Sequence, residues 1–217
     1  MAIRILLVDD HEVVRFGLCS LLERHEEFAV VGEAEDGLEA VELASELLPD
    51  IIIMDVNMPR MNGIEAARSI RKQSPHSKII VLSMHRQKQY VLDMLEAGAC
   101  GYILKTKAIQ EVIPAIEAVL EGDVYLCPKV AAVTTKALVT KDRPDDSNRT
   151  SELTSRERQV LQLLAEGHSS RQMGDVLGVS EATVVKHRQN LMDKLDLRSV
   201  AELTKYAIQH GITSLEI

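Results

Sequence analysis

Three carboxylates, a hydroxyl and an ammonium group each stand at the polar end of a short apolar run in this chain. Ile3 to Val8 leads into Asp9 and Asp10, and Ile51 to Met54 leads into Asp55. The run V-L-S ends at Ser83, and G-Y-I-L-K ends at Lys105. Runs this short, closed by turn residues such as Met58-Pro59, read as buried parallel strands. In an open parallel sheet, ligands bind outside the carboxyl ends of strands where strand order reverses. Three carboxylates gathered there make a hard-oxygen cation site with one acid left over as a nucleophile. A carboxylate that attacks a phosphoryl group becomes an acyl phosphate. Because both partners are anions, the transfer needs Mg²⁺ to bridge them and positive charge on the other oxygens.

Alternating elements must position these groups. Strand-like runs recur at Ile3 to Val8, Ala29 to Val31, Ile51 to Met54, Ile79 to Leu82 and Tyr102 to Leu104. Amphipathic segments lie between them: Val13 to Leu22, Leu38 to Leu48, Ile64 to Ile70, Gln87 to Ala97 and Ile109 to Leu120. Five repeats of strand then helix imply a five-stranded, doubly wound parallel sheet with helices on both faces. Glu12 and His85 fall near the same rim; either could tune the lifetime of a phosphoryl group, although a surface position accounts for both.

Composition narrows the class. The 217 residues suit two domains, and the net charge of −8 is uneven. From Arg149 onward nine basic residues balance nine acidic ones, so the preceding part carries the whole charge. An acidic part suits a divalent cation, and a neutral part containing local basic residues suits a polyanion. No apolar run approaches a membrane span or a secretory leader, and Cys19, Cys100 and Cys127 are scattered. The chain reads as a cytoplasmic protein of a reducing compartment, with no membrane partner.

Asp9, Asp10, Asp55, Ser83 and Lys105, in this order and spacing, resemble the receiver domain of two-component response regulators over residues 3–121. The resemblance implies a flavodoxin-like α/β fold and a phosphoryl group accepted on Asp55 from a sensor histidine kinase. It assigns Mg²⁺ to Asp10, Asp55 and the backbone carbonyl of Asn57, with Asp9 acting through water. Lys105 would neutralise a phosphoryl oxygen, and the Ser83 hydroxyl would donate to another. Tyr102 resembles the family's switch aromatic, which turns inward as Ser83 moves. The amphipathic segment Gln87 to Ala97 and the edge of strand five would then change their packing.

After Gly122 the pattern changes. Residues 122–148 read as a linker with a short helix opened by Pro128, carrying Val130, Val133 and Ala137 on one stripe. Lys141 to Glu152 has no sizeable apolar residue and reads as a hinge. The last part is read as four capped helices. Thr154 with Glu157, Ser169 with Gln172, and Ser199 with Glu202 have capping-box spacing, and Ser180 caps Glu181 to Leu195. The Gly178-Val179-Ser180 turn between two of these helices suits a helix-turn-helix, His168 to His187.

L-T-S-R-E-R-Q-V-L-Q-L-L-A-E-G and V-S-E-A-T-V-V-K-H-R-Q-N-L-M-D-K-L resemble the LuxR-type DNA-binding domain, over residues 149–214. With the receiver they resemble the NarL/FixJ class of response regulators. That resemblance implies an all-α four-helix domain that reads double-stranded DNA and pairs as a homodimer on phosphorylation. Val185, Lys186 and Gln189 would face base edges, whereas Thr183, His187, Arg188 and Lys194 would meet phosphates. Met173-Gly174 stands where Ile-Ala is common and Asp196 where Gly is common. Because glycine costs about 1 kcal/mol in a helix interior, a looser second helix is expected. Between Glu181 and Arg198 there are only four basic residues against three acidic, so one copy should bind DNA weakly.

The sequence also tests rival readings. D-V-N-M-P lacks the acid and the glycine that a calcium loop needs at its fifth and sixth positions, and no phosphate-cradling glycine motif is present. An aspartate-nucleophile phosphatase of the haloacid dehalogenase type would use D-x-D-x-T, but position 57 is Asn. The chain therefore reads as a regulator, with chemistry confined to its own Asp55. The remaining rival is a regulator that works without phosphorylation, its effector binding DNA or a protein.

Overall fold

The computed structural model describes residues 2–85, 88–132, 135 and 153–213, which form an α/β unit followed by an all-helical unit. The first unit contains β1 (Ile3–Val8), α1 (Glu12–Leu22), β2 (Phe28–Ala34), α2 (Gly37–Leu47), β3 (Ile51–Asp55) and α3 (Gly63–Gln73). It continues with β4 (Lys78–Ser83), α4 (Lys88–Ala97), β5 (Ala99–Leu104), α5 (Ala108–Glu121) and β6 (Tyr125–Leu126). The strands run parallel in the order β2-β1-β3-β4-β5-β6, so order reverses between β1 and β3.

Helices on both faces explain the unbroken apolar runs. Ile51, Ile52, Ile53 and Met54 are all no more than 1% exposed, and such burial stabilises by about 1.5–3 kcal/mol per side chain. On one face Ile5, Leu7, Ile51 and Ile53 pack with Leu18 and Leu22 of α1 and with Val112, Ile116 and Val119 of α5.

Two expectations are corrected. The sheet has six strands rather than five, because Tyr125–Leu126 pairs with Gly101 and Tyr102; a two-residue strand is too short to leave a periodic signal. Strand two, expected over Ala29 to Val31, spans Phe28–Ala34. Gly32 interrupts its apolar run where α2 comes close: an added Cβ would lie 2.7 Å from Leu47 Cδ1.

Residues 128–132 are helical, as Pro128 predicts. Val133, Ala137, the hinge from Lys141 to Glu152 and the expected helix start at Gln87 lie outside the described residues.

The second unit contains α6 (Ser155–Ala165), α7 (Ser170–Leu177), α8 (Glu181–Leu195) and α9 (Val200–Gln209). Thr154/Glu157, Ser169/Gln172 and Ser199/Glu202 each form both halves of a capping box, and Ser180 accepts from the Thr183 N–H. Val184, Leu191 and Leu195 are buried with Val160, Leu163 and Leu203.

Gly174 is a point of contact. A Cβ there would lie 2.8 Å from the Val179 carbonyl, so the α7–α8 turn packs directly on the helix backbone. That approach answers the expectation of a looser helix: the missing side chain admits the turn.

Asp196 ends α8 in the left-handed region, at φ 53. Such a residue strains an L side chain by up to about 1 kcal/mol, less for Asp than for most. Asp196→Gly is therefore expected to stabilise the helical unit by about 0.5–1 kcal/mol in urea unfolding. The weak Asp196–Arg198 pair, 3.3 Å and exposed, offsets little of it.

Candidate functional site

Strand register brings the polar residues to one edge of the sheet, in a staggered row. Val8 pairs with Met54, so Asp9 lies beside Asp55. Asp55 pairs with Leu82, so Ser83 comes one step later. Ser83 pairs with Leu104, and Lys105 follows. Main-chain pairing thus brings together side chains up to 96 positions apart in the sequence numbering, Asp9 to Lys105.

Asp55 is 4% exposed. Its Oδ2 accepts from Lys105 Nζ at 2.8 Å, and its Oδ1 accepts from the Val56 N–H at 2.7 Å. Burial pushes its carboxyl up to about 7; Lys105 opposes this and Asp9 adds to it. Lys105 shows the complementary effect. Burial alone would lower its ammonium, but Asp55 and Asp9 outweigh it and hold it above the ordinary lysine value.

Lys105 Nζ also lies 2.8 Å from Asp9 Oδ2, so one ammonium pairs with two buried carboxylates. Asp9 is fixed from behind by Arg15 of α1. Arg15 donates to the Asp9 carbonyl at 2.7 Å and pairs with Glu33 at 3.0 Å and Glu35 at 2.9 Å. Asp10 is exposed. Carboxylate oxygens of Asp9, Asp10 and Asp55, with a ring nitrogen of His11, lie within 4.8 Å of one another. A clustered, mainly hard-oxygen donor set of three carboxylates fits a divalent cation.

Sequence reasoning left two wall residues unassigned. His11 Nδ1 lies 2.7 Å from Asp10 Oδ1 and 3.1 Å from Asp9 Oδ1. Gly63 opens α3 against the end of β3: an added Cβ would overlap the Asp55 carbonyl oxygen and reach Val56 Cα at 3.0 Å. The Gly63 N–H donates to the Val56 carbonyl at 2.8 Å. An isolated glycine before a helix carries no sign of such an approach.

His85, read as a surface residue, is half-buried in the wall. Its Nε2 meets Asn57 Nδ2 at 2.6 Å, its ring stacks on Tyr90 at 4.4 Å, and its N–H donates to Ser83 Oγ at 3.0 Å. Tyr102 is fully buried and its hydroxyl donates to the His85 carbonyl at 3.0 Å. The inward position that the resemblance assigns to the switched state is therefore the one seen here. Glu12 is exposed at the start of α1.

On α8, Val185 is 46% exposed, and Lys186 and Gln189 are also exposed, opposite the buried Val184, Leu191 and Leu195. Gln189 donates to Asp193 at 3.1 Å, and the Thr183 hydroxyl lies 2.8 Å from Ser180 Oγ. His187 and Arg188 are half-buried. Lys194 is held 3.0 Å from Glu157, so any phosphate contact there competes with an ion pair inside the unit.

A doubly wound sheet with an acid rim, followed by a capped helix-turn-helix, defines the class of phosphoacceptor regulators with a nucleic-acid-binding output. Residues 5–117 match the family described as response regulator receiver domain, and residues 151–207 match bacterial regulatory proteins of the luxR family. The transcriptional regulatory protein DegU of Brevibacillus brevis is 37% identical over 222 residues, covering 96% of this chain and 94% of that protein. LiaR of Bacillus subtilis is 40% identical, covering 98% of this chain and all of LiaR. The structure of the response regulator RcsB–DNA complex superposes with a TM-score of 0.59 at 27% identity, covering 95% of this chain and 98% of that one. The chain belongs to the response-regulator family, as a two-component transcriptional regulator with a LuxR-type DNA-binding domain. Among the described residues no helix is long and apolar enough to cross a membrane.

Proposed function

We propose that Asp55 of this chain, acting in the cytoplasm, accepts a phosphoryl group from a sensor histidine kinase and that the modified chain pairs on double-stranded DNA to control transcription. The observation that carries this reading is the Asp55 carboxylate, buried at the row's centre with Lys105 2.8 Å away and the Asp9-Asp10 pair beside it. An Asp55 oxygen forms the new P–O bond as the donor's P–N bond breaks, and the electron pair stays with the donor imidazole. Lys105 holds the acceptor carboxyl in place and meets the incoming charge. Ser83 gives up the His85 N–H and turns its hydroxyl to a phosphoryl oxygen, which frees His85 and the Tyr102 hydroxyl bonded to it.

Mg²⁺ held by Asp10, Asp55 and the Asn57 carbonyl, with Asp9 through water, would supply the positive charge that lets two anions approach. The chain transfers the group to itself and then to water, without turnover of an external substrate.

In the effector unit, Val185, Lys186 and Gln189 read bases, and Thr183, His187, Arg188 and Lys194 engage phosphates. RcsB, a relative, is known as a complex with DNA, which supports this assignment. Gel-shift titrations at several salt concentrations test it. A small phosphodonor with Mg²⁺ should tighten binding, and log K should fall linearly with log salt concentration at a slope proportional to the number of phosphates contacted. Lys186→Ala and Gln189→Ala should each relax base choice by about 1–3 kcal/mol at one position, whereas Arg188→Ala weakens all sequences alike. A uniform loss from all three would refute the groove assignment, and binding indifferent to the phosphodonor would refute phosphorylation control.

A further inference from the structure

We infer that His11 supplies a nitrogen ligand to the cation site formed by Asp9, Asp10 and Asp55, so that this receiver holds first-row transition ions in a mixed oxygen–nitrogen set. The inference rests on reading the acid rim as a cation site, and it adds a ligand outside the set of carboxylates and carbonyl assigned above.

Four ligand atoms, one from each of these residues, lie within 4.8 Å of one another. An ion with bonds of about 2.1 Å holds opposite ligands about 4.2 Å apart, so the atoms need shift by only a few tenths of an ångström. The His11 ring is drawn to this point from outside: Nδ1 is 2.7 Å from Asp10 Oδ1 and 3.1 Å from Asp9 Oδ1. It makes no side-chain cap to α1, although His11 occupies the N-cap position. The acids it faces are anchored. The His11 N–H donates to Asp9 Oδ1 at 3.0 Å, and Arg15 grips the Asp9 carbonyl at 2.7 Å. Asp9 is 1% exposed, and its Oδ2 pairs with the Lys105 ammonium at 2.8 Å, which fixes the carboxylate at the edge of the cluster.

Ligand chemistry then sets the preference. Mg²⁺ favours oxygen and keeps its waters, and it gains little from an imidazole. Ni²⁺ and Zn²⁺ accept imidazole readily and bind such ligands more strongly than Mn²⁺ does. All-oxygen sites follow the same order, so preference alone is no proof. The diagnostic is the nitrogen itself.

The test uses the full chain and three variants, His11→Ala, His11→Gln and Asp10→Asn. The ring is half exposed, so both His11 variants should keep the circular dichroism spectrum and melting curve. Mn²⁺ bound to the wild type should give pulsed-EPR modulation from one imidazole nitrogen, absent in both His11 variants. Calorimetric titration should show Zn²⁺ and Ni²⁺ affinity falling about tenfold or more in His11→Ala, with Mg²⁺ affinity within about twofold. Bound Mn²⁺ without the nitrogen signal, or a signal that survives His11→Ala, overturns the role of His11 and leaves the acid site standing. Should Asp10→Asn leave the affinity of every ion unchanged, the acid site and the inference fall together.

Discussion

Asp55→Asn should take up no phosphoryl group from a small phosphodonor, and near pH 7.5 in metal-free buffer it should melt several degrees above the wild type. The first result follows from the loss of the only proposed acceptor. The second follows from burial, which pushes the Asp55 carboxyl from 3.8 up to about 7 against the pull of Lys105. Between those values the folded chain binds more protons than the unfolded chain, so stability falls as pH rises through that window. The interval corresponds to an upper bound of about 4 kcal/mol. Asparagine keeps the shape and removes the titration, and Lys105 retains Asp9 as its partner. Wild-type midpoints recorded from pH 5 to 8 should decline, whereas the variant's should stay nearly level. Acid-labile label on the variant would contradict the acceptor assignment, and parallel pH profiles would contradict the buried-charge argument.

Gly63→Ala should damage the same site without touching a polar group. The added Cβ would overlap the Asp55 carbonyl oxygen, and the nearest atoms are backbone, which yields less readily than a side-chain tip. Overpacking of this kind costs about 3 kcal/mol or more. If the strand end moves instead, Asp55 leaves the row shared with Lys105. The expected result is a melting point lower by roughly 5–10 °C and phosphoryl uptake slowed at least about tenfold. Wild-type stability and labelling in this variant would show that the α3 entry can move without strain.

Much of the receiver was legible because its signals are local. Apolar runs stopped by Asp9, Asp55, Ser83 and Lys105 mark both the strands and the rim they share, and each helix of the second unit announces its start by a cap. The misses arise where contact comes from far along the chain. Gly32 and Gly63 look like breaks in a pattern, and only the close approach of Leu47 and the Asp55 backbone gives them meaning. Arg15 reads as a charged position in α1, yet it is 7% exposed and holds the carbonyl of Asp9. His85 joins Ser83, Asn57, Tyr90 and Tyr102, four residues that no periodicity connects.

The row of Asp9, Asp55, Ser83 and Lys105 rests on three parallel pairings, each counted in whole residues. A slip of one residue in any of them would turn every following side chain to the opposite face of the sheet. The acceptor and its lysine would then part. A wrongly threaded chain would be mute, and competence to receive the signal certifies in the same stroke that the protein has folded correctly.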